Sequence, residues 1–337
     1  MGPVGLTLPR TEDIPRSEVI EFVQQAEDLG YDSIWVPEAW GRDAFTLLTQ
    51  LAVQTSRIKL GTGIVNVFSR TPALLAQTVA SLDEISNGRV ILGLGTSGQT
   101  VIENWHGVKY DRPLQHIREY VEIIRLTVSG QRVNYDGEIF QLKNFRIAFE
   151  PIRSAIPIFV ASISPKSLYQ SGELADGVLP IHLSRRRLAQ FLAPIADGAR
   201  QAERDPAAIE VAPYIITCVS EDSTGARELV RRHIAYYVGG MGAYYNQLVA
   251  RYGYGAEAAR VKEAWVRGDR TGAAAAVTDE LLDDVAIGGN ADQARAALAA
   301  YRAGGVTLPI ISFAHGATPE MVRQTLVALA PGRVPAA

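Results

Sequence analysis

The sequence has few of the residues that build disulfide frameworks, metal clusters or nucleic-acid surfaces. Its 337 residues include a single cysteine, Cys218, which excludes an internal disulfide and a thiolate metal cluster and fits a reducing cytoplasm. The net charge of -3 argues against nucleic acid as the main partner, because phosphate binding needs a concentrated basic surface. No apolar run reaches the ~18–20 residues of a membrane span, and no secretory signal is evident. We therefore expect a cytoplasmic protein without membrane or nucleic-acid partners.

Motifs for metal binding and hydrolysis are also missing. The five histidines are scattered and form no His-x-His pair of the kind that metal sites use. No Gly-x-Ser-x-Gly segment is present, so the sequence gives no support to a hydrolase of that type. Hydrophobic residues make up 47% of the chain, which is enough to bury a large core. These features favour a globular, metal-free protein in which a bound cofactor carries the chemistry.

Short apolar strands alternate with longer helical patterns along the chain. Pro15 and Gly30 bound one such helix, since proline suits the first helical position and glycine the C-terminal cap. The strands are nearly all apolar and do not alternate, as expected for parallel strands that are buried on both faces. The eight predicted strands are residues 4–8, 33–37, 58–64, 89–95, 157–161, 177–181, a segment within 207–219, and 307–313.

This order of elements predicts an α/β protein, a (β/α)₈ TIM barrel in a single domain over residues 1–337. Parallel strands need long crossover connections, and eight strands with helical returns match the barrel count. A doubly wound open sheet gives the same alternation and stays open as an alternative. Two additions to the barrel are expected, a hairpin turn at residues 135–138 and a mainly helical, alanine-rich insertion at about 239–289.

Functional residues of such a barrel lie at the carboxyl ends of its strands and in the loops that follow. This rule selects Glu38 and Trp40 after the second strand, Asn66 after the third and His182 after the sixth. Glu38 could be a base, a cofactor ligand or a solvated loop carboxylate. Trp40 could contact a ligand or only pack, and His182 could line the pocket or lie outside it.

The segment from Gly93 to Gly98 has Gly-x-Gly-x-x-Gly spacing after a strand. A dinucleotide-binding fingerprint should form the first βα turn and open directly into a helix, and this segment does neither. One interpretation is that the glycines ease a tight barrel turn. The other is that backbone amides and the hydroxyls of Thr96 and Ser97 approach a polar or anionic ligand closely.

Five segments in combination resemble the bacterial luciferase-like monooxygenase superfamily. They are GYDSIWVPE at 30–38, IKLGTGI at 58–64, SLDEISNGR at 81–89, LGLG at 92–95 and ADGV at 175–178. Members of this superfamily are (β/α)₈ barrels with a large insertion after the seventh strand, which agrees with the irregular region at 239–289. The resemblance therefore implies the barrel and not the open sheet.

The superfamily divides by cofactor. One branch uses reduced FMN and oxygen, and the other uses coenzyme F420, a deazaflavin that carries hydride and reacts poorly with dioxygen. Residues 95–98, 103–108 and 120–125 look like the F420 branch. The resemblance implies an F420-dependent oxidoreductase acting on a small organic substrate, and we expect it to be a homodimer. An FMN-dependent two-component monooxygenase is the alternative, and a non-catalytic barrel homologue is the second alternative.

Positions that match the family motifs carry implied roles. Gly63-Ile64 matches a non-prolyl cis peptide that backs the deazaflavin ring, and Thr96-Ser97 matches contacts to the ribityl and phosphate part. Residues 162–164, ahead of a helix, match a phosphate loop, where amides at a helix N-terminus favour an anion. The cofactor-binding set that we predict is Glu38, Gly63, Ile64, Asn66, Thr96, Ser97, Gly98, Ser162, Ile163, Ser164, Gly177 and Val178.

The chain departs from the sugar and alcohol dehydrogenases of the F420 branch. Those enzymes carry an acidic residue and then a catalytic histidine after the second strand, where this chain has Glu38-Ala39. Because Ala39 cannot move a proton, the resemblance points to reductases of the methylene-tetrahydropterin reductase type or reductases of C=C, C=N or C=O bonds. The predicted catalytic residues are Glu38, Trp40 and His182; a proton-donating Glu38 would need a raised pKa from burial.

Overall fold

A computed structural model describes residues 2–9 and 14–332 of the chain. The strands are β1 Gly5–Thr7, β2 Ser33–Val36, β3 Lys59–Thr62, β4 Val65–Asn66, β5 Val90–Gly95, β6 Val133–Asp136, β7 Gln141–Phe145, β8 Ile158–Val160, β9 Gly177–Val178, β10 Glu210–Val211, β11 Tyr214–Val219, β12 Ala286–Gly289 and β13 Ile310–Phe313. The helices are α1 Arg16–Asp28, α2 Ala44–Gln54, α3 Pro72–Ile85, α4 Pro113–Val128, α5 Pro165–Leu174, α6 Leu188–Gln201, α7 Ser223–Gly240, α8 Tyr244–Val249, α9 Gly255–Val266, α10 Arg270–Ala275, α11 Asp279–Val285, α12 Ala291–Ala303 and α13 Pro319–Ala328. Within these described ranges, no helix is long and apolar enough to cross a membrane.

The main sheet is parallel and closes on itself. Its hydrogen-bonded order is β10-β9-β8-β5-β3-β2-β1-β13-β11-β12. Only Ala212 and Pro213 separate β10 from β11, and this continuous stretch pairs with β9 on one side and β13 on the other. A parallel bridge between Ile181 and Tyr214 extends the β9 pairing. The eight parallel strands form a closed ring, which confirms the predicted (β/α)₈ barrel and excludes the open sheet.

Several predicted strands have a different extent in the structure, and the eighth shortens to Ile310–Phe313. The predicted third strand is split at Gly63-Ile64 into β3 and β4, and β4 pairs separately with β5. The predicted seventh strand is split at Ala212-Pro213, because proline has no amide hydrogen to donate to the ladder. The predicted sixth strand shortens to Gly177–Val178. The predicted hairpin exists as β6 and β7, with its turn a little later than residues 135–138.

The region at 239–289 is helical for most of its length but ends in a strand. Helices α8 to α11 fill residues 244–285, whereas β12 adds to the sheet by pairing Ala286 to Gly289 with the second half of β11. The region is mainly helical, as expected, and its last four residues form a strand that the sequence did not indicate. The strand is short and half glycine, so its apolar pattern is too weak to be separated from the helices on both sides.

Large aromatic side chains fill the inside of the barrel. Trp35, Phe159 and Tyr214 lie there with the apolar residues Ile91, Leu179, Ala212, Leu308 and Ile310. Glycines on the neighbouring strands leave room for the rings: a Cβ on Gly61 would lie 2.5 Å from the Trp35 ring, and one on Gly177 would lie 2.6 Å from the Phe159 ring. The interior is therefore a packed core and not a channel.

Helices α5 and α6 are in direct backbone contact. A Cβ on Gly172 would collide with the carbonyl oxygen of Ile195, and a Cβ on Gly198 would collide with that of Tyr169. Only glycine permits this approach at both positions. Because α5 begins directly after Ser164, this contact fixes the loop at 162–164 relative to the outer helical layer.

Candidate active site

A cis peptide bond joins Gly63 and Ile64 at the carboxyl end of β3. The cis geometry that the family resemblance implied at this position is therefore confirmed. The Gly63 amide donates to the Val36 carbonyl at 2.7 Å, and the Ile64 carbonyl accepts from the Glu38 amide at 3.3 Å. The bulge is thus tied to the second strand and to the loop that follows it.

Three apolar side chains, which we call the apolar floor, close the barrel interior at the carboxyl ends of the strands. Ile64, Ala161 and Ile181 all pack against the aromatic core from above. A Cβ on Gly95 would lie 2.8 Å from Ile64 and 3.3 Å from Ala161, so the glycine lets these side chains meet. The floor therefore spans the ends of β3, β5, β8 and β9, and its apolar surface suits the face of a planar ring.

Glu38 forms a bidentate ion pair with Arg70. The guanidinium of Arg70 donates to the two carboxylate oxygens at 2.5 and 3.0 Å, and the Ala44 amide donates to one of them at 3.1 Å. Only 11% of the Glu38 side chain is exposed. The Glu38 carboxylate therefore accepts hydrogen bonds from a guanidinium and from the N-terminus of α2.

Arg70 connects Glu38 to the loops around it. It also pairs with Asp43 at 2.5 Å, and its carbonyl accepts a short hydrogen bond from the Tyr120 hydroxyl. The hydrogen bond to Glu38 raises the pKa of Arg70, and this outweighs the opposing effect of burial. Burial favours the neutral form of Asp43, but hydrogen bonds from Thr46 and the charge of Arg70 lower its pKa overall. The sequence analysis missed Arg70 because a lone arginine in a loop carries no local motif.

Trp40 lies in the same loop as Glu38 but points outward. Its side chain is 56% exposed, and Trp105 in the loop after β5 is 64% exposed. Both residues therefore lie on the surface, in the loops after β2 and β5, and do not pack in the core. The prediction that Trp40 is catalytic remains a prediction.

Asn66 is buried and uses its side chain within the protein. Its Oδ1 accepts from the amides of Phe68 and Ser69 at 2.9 and 2.8 Å, and its Nδ2 lies 3.3 Å from the Nε2 of His106. These bonds shape the turn that follows β4. The side chain links this turn to the loop after β5, and its contact with a cofactor stays a prediction.

The glycines at 93–98 serve two different purposes. A Cβ on Gly93 would collide with the Thr62 carbonyl, and Gly95 makes room for Ile64, so both are packing glycines. Gly98 has open space around its missing Cβ. Ser97 adopts the left-handed conformation at φ 55°, and the Thr96 hydroxyl donates to the Ser97 carbonyl at 3.3 Å. The first interpretation thus applies to Gly93 and Gly95, which allow close packing around β5. Residues 96–98 form a partly exposed loop.

The loop at 162–164 uses its two serine side chains to start α5. The Ser162 hydroxyl lies 2.7 Å from that of Ser171, and Ser164 forms a reciprocal capping box with Ser167. The Ile163 carbonyl accepts from Arg251 at 3.2 Å, which joins this loop to the segment after α8. An anion bound here would therefore meet backbone amides and the helix N-terminus rather than free serine hydroxyls.

Gly177 and Val178 lie within the barrel wall. Gly177 faces the Phe159 ring, and Val178 is fully buried among the residues that pack strands against helices. The structure thus gives both a packing role. They could contribute to cofactor binding only indirectly, through the position of β9, and this contribution stays a prediction.

His182 follows the apolar floor and is completely buried. It adopts φ 53°, and neither ring nitrogen has a hydrogen-bond partner among the described residues. Tyr237 and Tyr245 contact the ring edge-on, with centroids 5.0 and 5.9 Å away. Burial lowers the pKa of His182 to about 4, so the imidazole is neutral at physiological pH.

Two further histidines lie near His182. His233 on α7 stacks on His315 at 3.8 Å and on Tyr237 at 5.3 Å. Burial, followed by the charges of His315 and His182, holds the pKa of His233 well below its usual value. The sequence analysis saw these histidines as scattered, because residues 182, 233 and 315 meet only when the barrel closes.

The fold and the mouth define a class of protein: a closed (β/α)₈ barrel with a cis bulge, an apolar floor and polar loops around it. Across residues 2–9 and 14–332, no cluster of three or more histidine, cysteine or acidic residues is placed to hold a metal ion. The chain belongs to the luciferase-like monooxygenase family, whose model matches residues 4–308.

The similar proteins include several named for coenzyme F420 or for pterin reduction. A putative coenzyme F420-dependent oxidoreductase of Mycobacterium tuberculosis is 32% identical over 330 residues, 92% of this chain and 94% of that protein. The 5,10-methylenetetrahydromethanopterin reductase of Archaeoglobus fulgidus is 34% identical over 287 residues, 83% of this chain and 84% of its own. The solved coenzyme F420-dependent tetrahydromethanopterin reductase of Methanopyrus kandleri superposes with a TM-score of 0.86 at 25% identity, covering 98% of both chains.

Proposed function

We propose that this chain is a coenzyme F420-dependent oxidoreductase that transfers hydride between the deazaflavin and a small organic substrate, and that it works as a reductase. The observation that carries the proposal is the apolar floor of Ile64, Ala161 and Ile181, in a chain whose relatives are named for F420.

The residues present suit a deazaflavin. Ile64, Ala161 and Ile181 offer an apolar surface for a planar ring at the carboxyl ends of the strands. The partly exposed loop at 96–98 and the helix N-terminus after Ser164 offer hydroxyl and amide groups to a polar, anionic tail. When bound, the deazaflavin would accept or supply the hydride.

The other residues around the apolar floor have separate proposed roles. Glu38, held by Arg70 and Ala44, keeps the loop after β2 in place and offers an ionised carboxylate to the mouth. Ala39 has no group that could take a proton from a substrate alcohol, which supports reduction over alcohol oxidation. Trp40 would contact the substrate from the rim, and His182 would contact it from the far side of the floor.

Cofactor titrations test this proposal directly. We expect purified protein to quench the fluorescence of F420 at micromolar concentration and to bind FMN much more weakly. Ser97→Trp, which places a large side chain in the proposed cofactor loop, should weaken F420 binding at least tenfold. Val53→Trp, at an exposed position on α2, is the matched control and should bind normally. Tight binding of FMN without binding of F420 would refute the proposal in favour of an FMN-dependent monooxygenase.

We also propose that the protein is a homodimer. Leu74 and Ile85 on α3 and Leu126 on α4 are large apolar side chains that are 51%, 47% and 39% exposed. Neighbouring helices with apolar residues on their outer surface favour association. Light scattering at micromolar concentration should give twice the 36.5 kDa chain mass, and the mass of one chain would contradict the proposal.

A further inference from the structure

The loops at the carboxyl ends of the barrel strands, which we call the mouth, fall into two groups. The loops that we assign to the cofactor follow β3, β5 and β8, whereas the histidines lie beyond β9 and β13 and on α7. Because the sheet order runs β8-β9 and then, through β10 and β11, to β13, the histidines occupy the opposite arc of the ring. A ligand lying on the floor would thus have the cofactor loops on one side and the histidines on the other.

Three imidazole nitrogens in this second group are buried without a partner among the described residues. They are both ring nitrogens of His182 and the Nε2 of His233. Buried polar groups are nearly always hydrogen-bonded, since leaving one unpaired costs free energy, so each exception needs an explanation. Three exceptions on two adjacent rings point to a polar ligand that these rings are built to meet.

The hydrogen-bonding state of His233 follows from its surroundings. Its Nδ1 accepts the backbone amide of His315 at 3.0 Å. An accepting Nδ1 has no proton, so in the neutral ring the proton must be on Nε2, which is then a donor. His182 is also neutral and presents one donor and one acceptor nitrogen. The two rings together therefore offer at least two N–H donors without a fixed charge.

The His182 ring is held by packing and by its own loop. Tyr237 contacts His182 edge-on and stacks on His233. The loop after His182 is anchored by Asp284, which accepts from the Ser184 hydroxyl at 2.7 Å and from the Arg186 amide at 3.0 Å. The Asp284 carboxylate is thus already satisfied, and the ring is positioned without using its own nitrogens.

Access to the ring requires a covering side chain to move. Tyr245 lies on the short helix α8 and is partly exposed, while the His182 nitrogens that it covers have no exposed surface. The chain enters α8 through Gly242, which has φ 84° and open space around it. Hydrogen bonds from Asn246 and the burial of Leu248 and Val249 hold the rest of α8 in place, so access to the His182 ring requires movement of the Tyr245 side chain.

We propose that His182 and His233 form a substrate subsite for an uncharged carbonyl oxygen, as in a ketone or an α,β-unsaturated ketone. This inference rests on the proposed function, since the hydride would come from reduced deazaflavin on the opposite side of the floor. Neutral N–H donors in an apolar site would stabilise the negative charge that develops on the oxygen as hydride adds to the substrate carbon. The resulting alkoxide or enolate would then take a proton from solvent, and the deazaflavin would be left oxidised. A carboxylate or phosphate would instead require a cationic partner.

Imidazole NMR of the cofactor-free protein tests the subsite by itself. The chain has five histidines, so the ¹⁵N-labelled rings give few signals, which His182→Phe and His233→Phe assign. We expect 2-cyclohexen-1-one to shift the His182 and His233 signals, and cyclohexanecarboxylate of similar size to leave them in place. No shift with the ketone, or equal shifts with both probes, would overturn the proposal.

Kinetics with F420-loaded enzyme give the second measurement. His182→Phe should lower kcat/KM for reduction of 2-cyclohexen-1-one by about 100-fold, mainly through kcat, because it removes a donor to the developing charge. Its Kd for F420 should stay within about twofold of the wild type. His116→Phe, on α4, is the matched control. An unchanged kcat/KM in His182→Phe would overturn the subsite, whereas a wild type that fails to bind F420 would contradict only the proposed function.

Discussion

The contact between Gly63 and Tyr214 allows a sharp test of how the bulge is supported. Tyr214 points up inside the barrel, and its hydroxyl is buried without a partner among the described residues. A Cβ on Gly63 would collide with this hydroxyl and would lie 3.3 Å from the Trp35 Cβ. Gly63→Ala should therefore force the tyrosine or the bulge to shift. Overpacking of this kind costs about 1–3 kcal/mol.

Tyr214→Phe is the matched second change. It removes only the colliding oxygen, and the nearest ring carbon is 3.3 Å from the new Cβ. Alone it removes an unpaired buried hydroxyl, so its effect on stability should be within about 1 kcal/mol. Combined with Gly63→Ala, it should recover most of the loss, giving a coupling free energy of about 1–2 kcal/mol.

Urea unfolding followed by circular dichroism measures the free energy of unfolding of all four proteins in this cycle. An F420 titration of the same samples reports whether the bulge has moved, and Gly63→Ala should weaken binding while the double variant recovers it. Additive effects of the two changes, with a coupling near zero, would refute the argument. They would mean that the bulge and Tyr214 do not touch as the structure places them.

Three further changes test other contacts. Arg70→Ala should lower the free energy of unfolding by about 3 kcal/mol, because it leaves the Glu38 carboxylate without its cation. Adding Glu38→Gln to this variant should recover part of the loss, as measured by urea unfolding. Burial favours the neutral form of Glu119, but hydrogen bonds from the Gln115 side chain and from backbone amides lower its pKa overall. The stabilisation that Glu119 contributes is therefore present above pH ~4.5 and is lost as the pH falls below it. Glu119→Gln should flatten this acid dependence, and an unchanged pH profile of unfolding would contradict us. Asp284→Asn should loosen the loop at Ser184, because Asp284 accepts the Ser184 hydroxyl. It should raise KM for 2-cyclohexen-1-one and leave the Kd for F420 unchanged. A changed Kd for F420 would place this loop on the cofactor side.

Most of the fold was predictable from local signals. Four helices begin at a proline, Pro72, Pro113, Pro165 or Pro319, because proline is favoured in the first turn of a helix. Buried parallel strands read as continuous apolar runs, which is why the barrel strands were found. The strand β12 was missed, because Ala286 to Gly289 gains its strand conformation from pairing with β11 and not from its own residues.

The candidate site was predictable in position but less so in its contacts. The cis bond at Gly63-Ile64 followed from the family resemblance. The partner of Glu38, however, is Arg70, 32 residues further along, and no local pattern connects the two. His233 was likewise invisible as a site residue, because a histidine in a helix resembles any other until the fold brings it to His182. Contacts between distant segments are set by tertiary packing, which a single sequence does not display.

The interlocked glycines of α5 and α6 have a consequence for motion in the mouth. Since the two helices touch backbone to backbone at Gly172 and Gly198, they cannot slide past each other without a collision. The loop at 162–164 therefore belongs to the stationary part of the molecule, and amide hydrogens along α5 should exchange with solvent as slowly as those of the barrel strands. Closure over a ligand would therefore have to come from loops other than the one at 162–164.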